Sequence, residues 1–300
     1  MDTLSDIAIF IRVLDTGNIS AAARSLGLSP AVASKRLISL EKYLGVRLLH
    51  RTTRRVSATP EGVELATQGR PLIEDLEALT SGLSQSGKEV SGTLRITAAV
   101  SFGHHYISPL LPRFLAQHPR LHVQLNLTDE KRDLINDGFD LAIRITSTLQ
   151  DSGLVARRLA RNRRIMCASP AYLARLGAPQ TLAELSQHQC LLLAGFNGVE
   201  DRWQLTDKHG EKHSVKVKGR LESNLGDALR DAALSGLGIS LHSSWHINKD
   251  LNDGKLQVVL PDYHMDTAIF AVMPQRRLVP PRVKAFIQFL EEQVAEENWA

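Results

Sequence analysis

Two histidine pairs carry a four-residue spacing, which places two imidazoles on one face of a helix: His242 and His246 in His-Ser-Ser-Trp-His, and His209 and His213 in His-Gly-Glu-Lys-His. Zinc accepts such nitrogens, but the helical H-E-x-x-H site also needs its glutamate and a third ligand. The first pair lacks that glutamate, neither pair has an evident third ligand, and the second falls in a polar turn. Both therefore read as solvated histidines. Cys167 and Cys190 sit in no metal or disulfide-framework spacing. Ser101, Ser169 and Ser223 lack a G-x-S-x-G elbow, and no phosphate loop of the P-loop type is present. The sequence predicts no catalytic residue, metal or cofactor, and hence no enzyme.

Charge points elsewhere. The chain's formal net charge is +4, but residues 1–60 hold nine basic residues against four acidic ones. That segment alone carries +5, leaving −1 for the other 240 residues. A positive module attached to a near-neutral remainder is the footprint of nucleic-acid binding. No window approaches ~18 consecutive apolar residues. Met1-Asp2-Thr3-Leu4 has no basic leader character. The expectation is a cytoplasmic chain with no membrane partner.

The elements that would position those charges are legible. Leu4, Ile7, Ala8, Phe10, Ile11 and Leu14 form one apolar helical face, ended by Thr16-Gly17-Asn18. Asn18 or Ser20 caps a short second helix containing Ala21, Ala22, Ala23 and Leu26. Gly27 suits a positive-φ corner. Ser29 and Pro30 suit the N-cap and first position of a third helix reaching Leu44. Val32, Ala33, Leu37, Leu40 and Leu44 are assigned to its core side. Ala31, Ser34 and Lys35 lie elsewhere, with Arg36 and Lys42 on the flanks. A helix with small and basic residues near its start can enter a major groove about 12 Å wide. Residues 45–49 and 56–59 read as two strands around a basic tip, His50-Arg51-Thr52-Thr53-Arg54-Arg55.

These residues resemble the LysR-type transcriptional regulators. The resemblance rests on Ala21-Ala22-Ala23-Arg24-Ser25-Leu26-Gly27-Leu28-Ser29, Ser34-Lys35-Arg36-Leu37-Ile38-Ser39-Leu40-Glu41 and Leu44-Gly45-Val46-Arg47-Leu48-Leu49-His50-Arg51. It continues through Thr52-Thr53-Arg54-Arg55-Val56 and Ala58-Thr59-Pro60-Glu61-Gly62. Where the family often has Ser-Gln-Pro, this chain has Ser29-Pro30-Ala31, so a base contact by that glutamine does not carry over. The resemblance implies an all-α winged helix-turn-helix with a linker helix, then an α/β two-subdomain effector domain of periplasmic-binding-protein type. Expected DNA-binding residues are Ser20, Ser29, Pro30, Ala31, Ser34, Lys35, Arg36, Arg51, Arg54 and Arg55.

The expected boundaries are 1–60 for the DNA-binding domain, 61–90 for the linker and 91–300 for the effector domain. Thr59, Pro60 and Glu61 begin the linker helix. Leu65, Leu72 and Leu79 recur every seven residues, as do Gly69, Leu76 and Leu83. That spacing fits a coiled-coil seam, or a helix packed on its own domain. The resemblance favours a homodimer through this helix and a homotetramer beyond it. Ser81 to Gly92 reads as a hinge.

From Thr93 strands and helices alternate, predicting α/β architecture with largely parallel sheets. A helix is expected at 105–117 and another at Lys131–Asp137. The resemblance implies one subdomain of about 91–162 and 268–300, and a second of about 163–267. Ligands of open α/β sheets sit beyond the strands' carboxyl ends, near helix N-termini. On that ground the effector-site candidates are Ser101, Phe102, Gly103, His104, Thr128, Arg144, Ser169, Ser223, Asn224 and His242, with Arg144 as the fixed cation for a small carboxylate. The leading reading is a sequence-specific regulator of promoter DNA that responds to a small molecule. An architectural DNA binder without effector, and an enzyme or transport-type binding protein with a basic accessory domain, stand as alternatives.

Overall fold

The computed structural model describes residues 2–51, 56–83, 90–130, 132–148, 153–195, 198–274 and 279–295. The chain divides into two compact units, Met1–Glu89 with Arg276–Pro281, and Val90–Gln275 with Arg282–Ala300. No helix among the described residues is long and apolar enough to cross a membrane.

The first unit opens with α1 (Thr3–Thr16), closed by Gly17 in the left-handed region at φ 65°. In α2 (Ile19–Ser25) the cap is Asn18, whose side chain accepts from the amides of Ser20 and Ala21. Ala22 and Ala23 are fully buried, so α2 approaches its neighbours closely. Gly27 turns the corner at φ 67°. Ser29 then caps α3 (Pro30–Leu44) by accepting from Val32 N at 3.3 Å.

Ala33, Leu37 and Leu40 share the core with Ile9, Phe10, Val13 and Leu48. Val32 and Leu44, expected there, are instead exposed, because the buried stripe of α3 is narrow and they lie at its margins. The first wing strand also starts later than expected. Gly45 is the left-handed C-cap of α3, and β1 runs only over Leu49–Arg51, antiparallel to β2 (Val56–Ala58). Glu41 accepts from the amides of Leu48 and Leu49, fastening the wing to α3. The tip, residues 52–55, lies outside the described residues.

In α4 (Pro60–Leu83) the Thr59 hydroxyl accepts from Gly62 N and donates to the Arg47 carbonyl. The heptad divides between two environments. Leu65, with Ala66 and Ile73, packs on the unit's own core. A Cβ at Gly69 would lie 3.1 Å from Ile7, and Arg70 pairs with Asp15 at 2.7 Å. Leu72 and Leu76 are exposed. The expected hinge is shorter at both ends: α4 continues through Leu83, and Gly92 already begins a strand, while residues 84–89 lie outside the described residues.

In the second unit β3 (Gly92–Ala98) lies parallel to β4 (Leu121–Leu127) and β5 (Leu141–Thr146). One helical run joins β3 to β4: α5 (Val100–Phe102), a π-turn at Gly103–Ile107 and α6 (Ser108–Gln117). It starts five residues before the expected 105. The helix expected at Lys131–Asp137 is absent from its described part. Asp133 Oδ1 accepts from the amides of Ile135 and Asn136, a local bond that competes with helix formation, and residues 134–138 form turns.

The chain continues through β6 (Leu154–Ala168), α7 (Pro170–Leu176), a 3-10 turn at Leu182–Gln187, β7 (Cys190–Gly195) and β8 (Gly198–Val199). Next come β9 (Arg202–Asp207), β10 (Lys212–Lys216), β11 (Glu222–Ser223), α8 (Gly226–Leu234) and β12 (Ile239–Ser243). It closes with α9 (Ser244–Asn252), β13 (Gln257–Val258), β14 (Tyr263–Pro274) and α10 (Pro281–Ala295). The sheet order is β11-β7-β12-β6-β14-β5-β3-β4. It is mixed rather than largely parallel, because β6 and β14 run antiparallel to each other and to β12 and β5.

Strands β6 and β14 pair along nearly their whole lengths and so belong to both halves of the sheet. One half carries β3, β4 and β5 with α6 and α10, where Phe114 meets Phe286 and Phe289 at about 5 Å. The other carries β7, β11 and β12 with α8 and α9, around Leu191, Leu229, Ala233 and Ile247. Arg282 ties α10 to the sheet through Asp140, which also accepts from Arg95 N; both side chains of the ion pair are about fully buried. Removing one partner of a buried pair strands the other charge. Asp140→Ala should therefore destabilise the second unit by about 3 kcal/mol, measured as a lowered urea midpoint.

Candidate functional site

The exposed face of α3 bears Ala31, Val32, Lys35, Ile38 and Lys42, with Ser34 half-buried at its edge. This face has the width and chemistry of a groove-reading surface: small and branched apolar groups able to meet a thymine methyl, flanked by ammonium groups. Ser29 and Pro30 stand exposed at the start of the helix, where Ser29 spends its hydroxyl as a cap. Ser20 is half-buried in the first turn of α2. Arg36 lies off this face, because its guanidinium pairs with buried Asp6 of α1. Arg51 falls at the end of β1, and Arg54 and Arg55 lie outside the described residues.

In the second unit a cavity of about 500 Å³ opens between the sheet halves. Three helix starts meet there. Ala99 precedes α5, Asn224 and Gly226 flank the start of α8, and Ser243 precedes α9. None of the three N-caps makes a side-chain capping bond. Helix N-termini present N–H groups and partial positive charge, so their convergence favours an anion.

Among the described residues, the arginine lining this cavity is Arg164, from β6. Its Nη1 donates to both oxygens of Glu200 at 2.9 and 3.0 Å, and its Nη2 donates to the Leu241 carbonyl. Arg144, expected in that role, does not line the cavity; its guanidinium reaches back to the Glu130 carbonyl at 3.4 Å. Burial lowers its pKa, with Asp129 opposing. Asp129 itself lines the cavity and accepts from Val100 N; burial raises its pKa against that bond and Arg144.

Of the ten residues singled out in the sequence, Ser101, Phe102, Asn224 and His242 line the cavity. The others serve elsewhere. Gly103 sits in the π-turn, where a Cβ would collide with Leu127. His104 is exposed and packs its ring edge on His105. Thr128 accepts from Glu130 N, Ser169 caps α7, and Ser223 accepts from Leu225 N. Serine and threonine beside a helix start look alike in sequence whether they cap or bind, so this division was invisible there.

The histidines depart furthest from expectation. His242 lies on β12 and His246 on α9, so their spacing is not helical, and both are buried rather than solvated. Asp227, on the first turn of α8, accepts from Ser101 Oγ at 2.7 Å and meets Nε2 of His105 at 2.6 Å and of His246 at 3.1 Å. Burial alone would raise its pKa, but those three hydrogen bonds pull it well below the usual carboxylate range. Nothing in the sequence joined Asp227 to Ser101 across so many residues. In the second pair, His213 of β10 is part-buried against Asp207, while His209 is exposed in the turn.

Comparison with known proteins decides what carries this architecture. Residues 4–63 match the family described as bacterial regulatory helix-turn-helix protein, lysR family, and residues 87–295 match the LysR substrate binding domain. The chain belongs to the LysR family of transcriptional regulators. This LysR-type regulator is 37% identical to the HTH-type transcriptional regulator DmlR of Escherichia coli over 98% of its own length and 95% of that protein's. It is 34% identical to the E. coli transcriptional activator TtdR, over 95% and 91% of the two chains. Among solved structures it is similar to full-length CrgA of Neisseria meningitidis, at TM-score 0.60 and 29% identity over 97% and 98% of the chains. The full-length Vibrio cholerae virulence activator AphB matches at TM-score 0.59 and 28% identity over 96% and 98%. The expected fold class, a helix-turn-helix domain with a two-lobed effector domain of periplasmic-binding-protein type, is thereby met.

Burial pushes the His242 pKa well below its ordinary value, and His246, Arg164 and Arg230 push the same way. A group with a depressed folded-state pKa takes up its proton first in the unfolded chain, so its contribution to stability is lost as pH falls below its unfolded value of about 6.5. The urea midpoint of the second unit should fall between pH 7.5 and pH 5.5. His242→Gln should flatten that dependence, leaving the smaller same-signed parts from His188 and His246, whose pKa values burial also lowers.

Proposed function

We propose that this regulator reads a promoter operator with α3 and answers to a small anionic effector, a carboxylate, bound in the cavity around Arg164. On the DNA side, Ala31, Ser34 and Lys35 enter the major groove, while Arg51, Arg54 and Arg55 hold phosphates. The exposed face of α3 and the concentration of positive charge in residues 1–60 support this. Exposed Leu72 and Leu76 support pairing of two chains along α4, which a palindromic operator requires, with a tetramer formed through further contacts. The division proposed is 1–60, 61–90 and 91–300, the last with lobes of about 91–162 plus 268–300 and about 163–267. The regulator acts in the cytoplasm and without catalysis, in keeping with relatives that are transcriptional regulators.

One observation carries the effector reading: an arginine and three helix N-termini, none capped by its own N-cap side chain, converge on one cavity, although Asp129 takes the Val100 amide of α5. Glu200 stands where a ligand carboxylate would sit, both of its oxygens accepting from Nη1 of the guanidinium. An effector displaces Glu200 from Arg164 and touches both lobes. It thus favours one lobe arrangement through differential contacts. Ser101, Asn224 and the amides near Gly226 complete the cradle.

Two measurements test this. Lys35→Ala should cost about 1–3 kcal/mol on the operator and little on random DNA, whereas Arg54→Ala should weaken both and reduce the salt slope by about one. Equal losses on both DNAs for both variants would remove the α3 assignment. Calorimetry of the full chain against small mono- and dicarboxylates should show heat that Arg164→Ala abolishes. Glu200→Gln, which removes a competing anion, should tighten binding by roughly tenfold, the equivalent of a charged hydrogen bond at its weaker end. Arg144→Ala should change nothing; loss of binding there, with Arg164→Ala unaffected, would move the site.

A further inference from the structure

Beside the cavity, ligand atoms of His105, Asp227 and His246 lie within 4.8 Å of one another. We propose that these three side chains form a binding site for a divalent transition-metal ion of the zinc class, which joins the helical run after β3 to α8 and α9. The donor set is two imidazoles and one carboxylate, which suits zinc, cobalt or nickel and not the all-oxygen preference of calcium or magnesium. Four-coordinate bonds of about 2.0–2.1 Å place neighbouring ligand atoms roughly 3.3 Å apart. The two Nε2 atoms stand 2.6 and 3.1 Å from Asp227 Oδ1, close to that spacing.

The surroundings orient these ligands. Ser101 Oγ donates to Asp227 Oδ2, leaving Oδ1 to face the imidazoles. Trp245 stacks on the His246 ring and His242 meets its edge, so that ring is held in place. His246 is nearly buried, whereas the His105 side chain is 41% exposed, which provides an entry path and a water-facing fourth position. In the metal-free protein both rings direct Nε2–H at the carboxylate. A nitrogen that ligates a metal carries no hydrogen, so on binding each Nε2 gives up the hydrogen it directs at the carboxylate, to Nδ1 or to solvent. The thiols of Cys167 and Cys190 do not compete, because both are buried and burial pushes them up to about 12.

The sequence offered His246 with the wrong partner. His242 is engaged with Ser240, and the true companions come from elsewhere in the chain, which sequence spacing could not show. A second cluster, Asp207, Glu211 and His213, has one imidazole, and its Asp207 Oδ1 already accepts two backbone amides. It serves as the internal control. The proposal does not require the carboxylate effector, since Arg164 and Glu200 take no part in it, although Ser101 and His246 line the same cavity.

The test is a Co²⁺ titration of the EDTA-stripped, dialysed full chain, followed by visible absorption. One equivalent should develop the intense bands of a four-coordinate ion, and Zn²⁺ should displace them. His105→Asn and His246→Asn should each weaken binding by at least about tenfold, the loss that even outer-shell changes can cause. His213→Asn should leave the titration unchanged. Because His105 is largely at the surface, His105→Asn should melt like the parent without metal. Added Zn²⁺ should raise the melting temperature of the parent and not of that variant. Absence of the bands at one equivalent, binding that His105→Asn leaves intact, or binding that His213→Asn removes would each overturn the proposal.

Discussion

Strands Leu154–Ala168 and Tyr263–Pro274 run antiparallel through both halves of the second unit, and the cavity exists because of that pairing. Where they cross between the halves, Asn162 Nδ2 donates to Thr267 Oγ1 at 2.6 Å and to Ser243 Oγ at 3.0 Å, and Thr267 Oγ1 donates back to the Asn162 carbonyl. Asn162 is 1% exposed, so these bonds form where water does not compete. Two strands tied in this way hold the halves in register while leaving the space between their helix starts open. Residues flanking the crossing, Arg164 on one strand and Thr267 on the other, line the cavity.

The electrostatics of that cavity follow from how its charges are matched. Arg164 is answered by Glu200, and Asp227 by Ser101, His105 and His246. Each pair joins segments distant in the chain. A small anion entering near Arg164 meets a positive group whose present carboxylate partner, Glu200, lies on a short segment between exposed residues. Exchanging one carboxylate for another requires no new buried charge, which keeps the desolvation cost low.

In the first unit the arrangement is set by close approach rather than by charge. Ala22, Ala23 and Ala33 are fully buried, and a Cβ at Gly62 would collide with the Leu48 carbonyl. Small residues at these points let α2, α3 and α4 pack tightly on α1 and the wing, leaving Ala31, Lys35 and Ile38 to project outward. Ion pairs such as Arg36 with Asp6 and Arg70 with Asp15 then pin the helices from outside the core. Arg36 shows how a basic residue of the recognition helix can be structural, because its partner on α1 is buried and needs a counter-charge.

Local rules were enough to read the caps at Ser29 and Thr59, to narrow that of α2 to Asn18 or Ser20, and to read the positive-φ corner at Gly27, the start of α4 at Pro60 and the basic character of residues 1–60. Each depends on neighbours within a few positions. The LysR resemblance was legible for the same reason, as its motif is one contiguous helix-turn-helix. Tertiary structure alone decided which side of a short helix is buried, so Val32 and Leu44 changed places with solvent. Above all it chose Arg164 over Arg144 as the cavity's cation and brought Asp227 to Ser101, His105 and His246. Those choices rest on contacts between residues tens of positions apart, which spacing and periodicity do not encode.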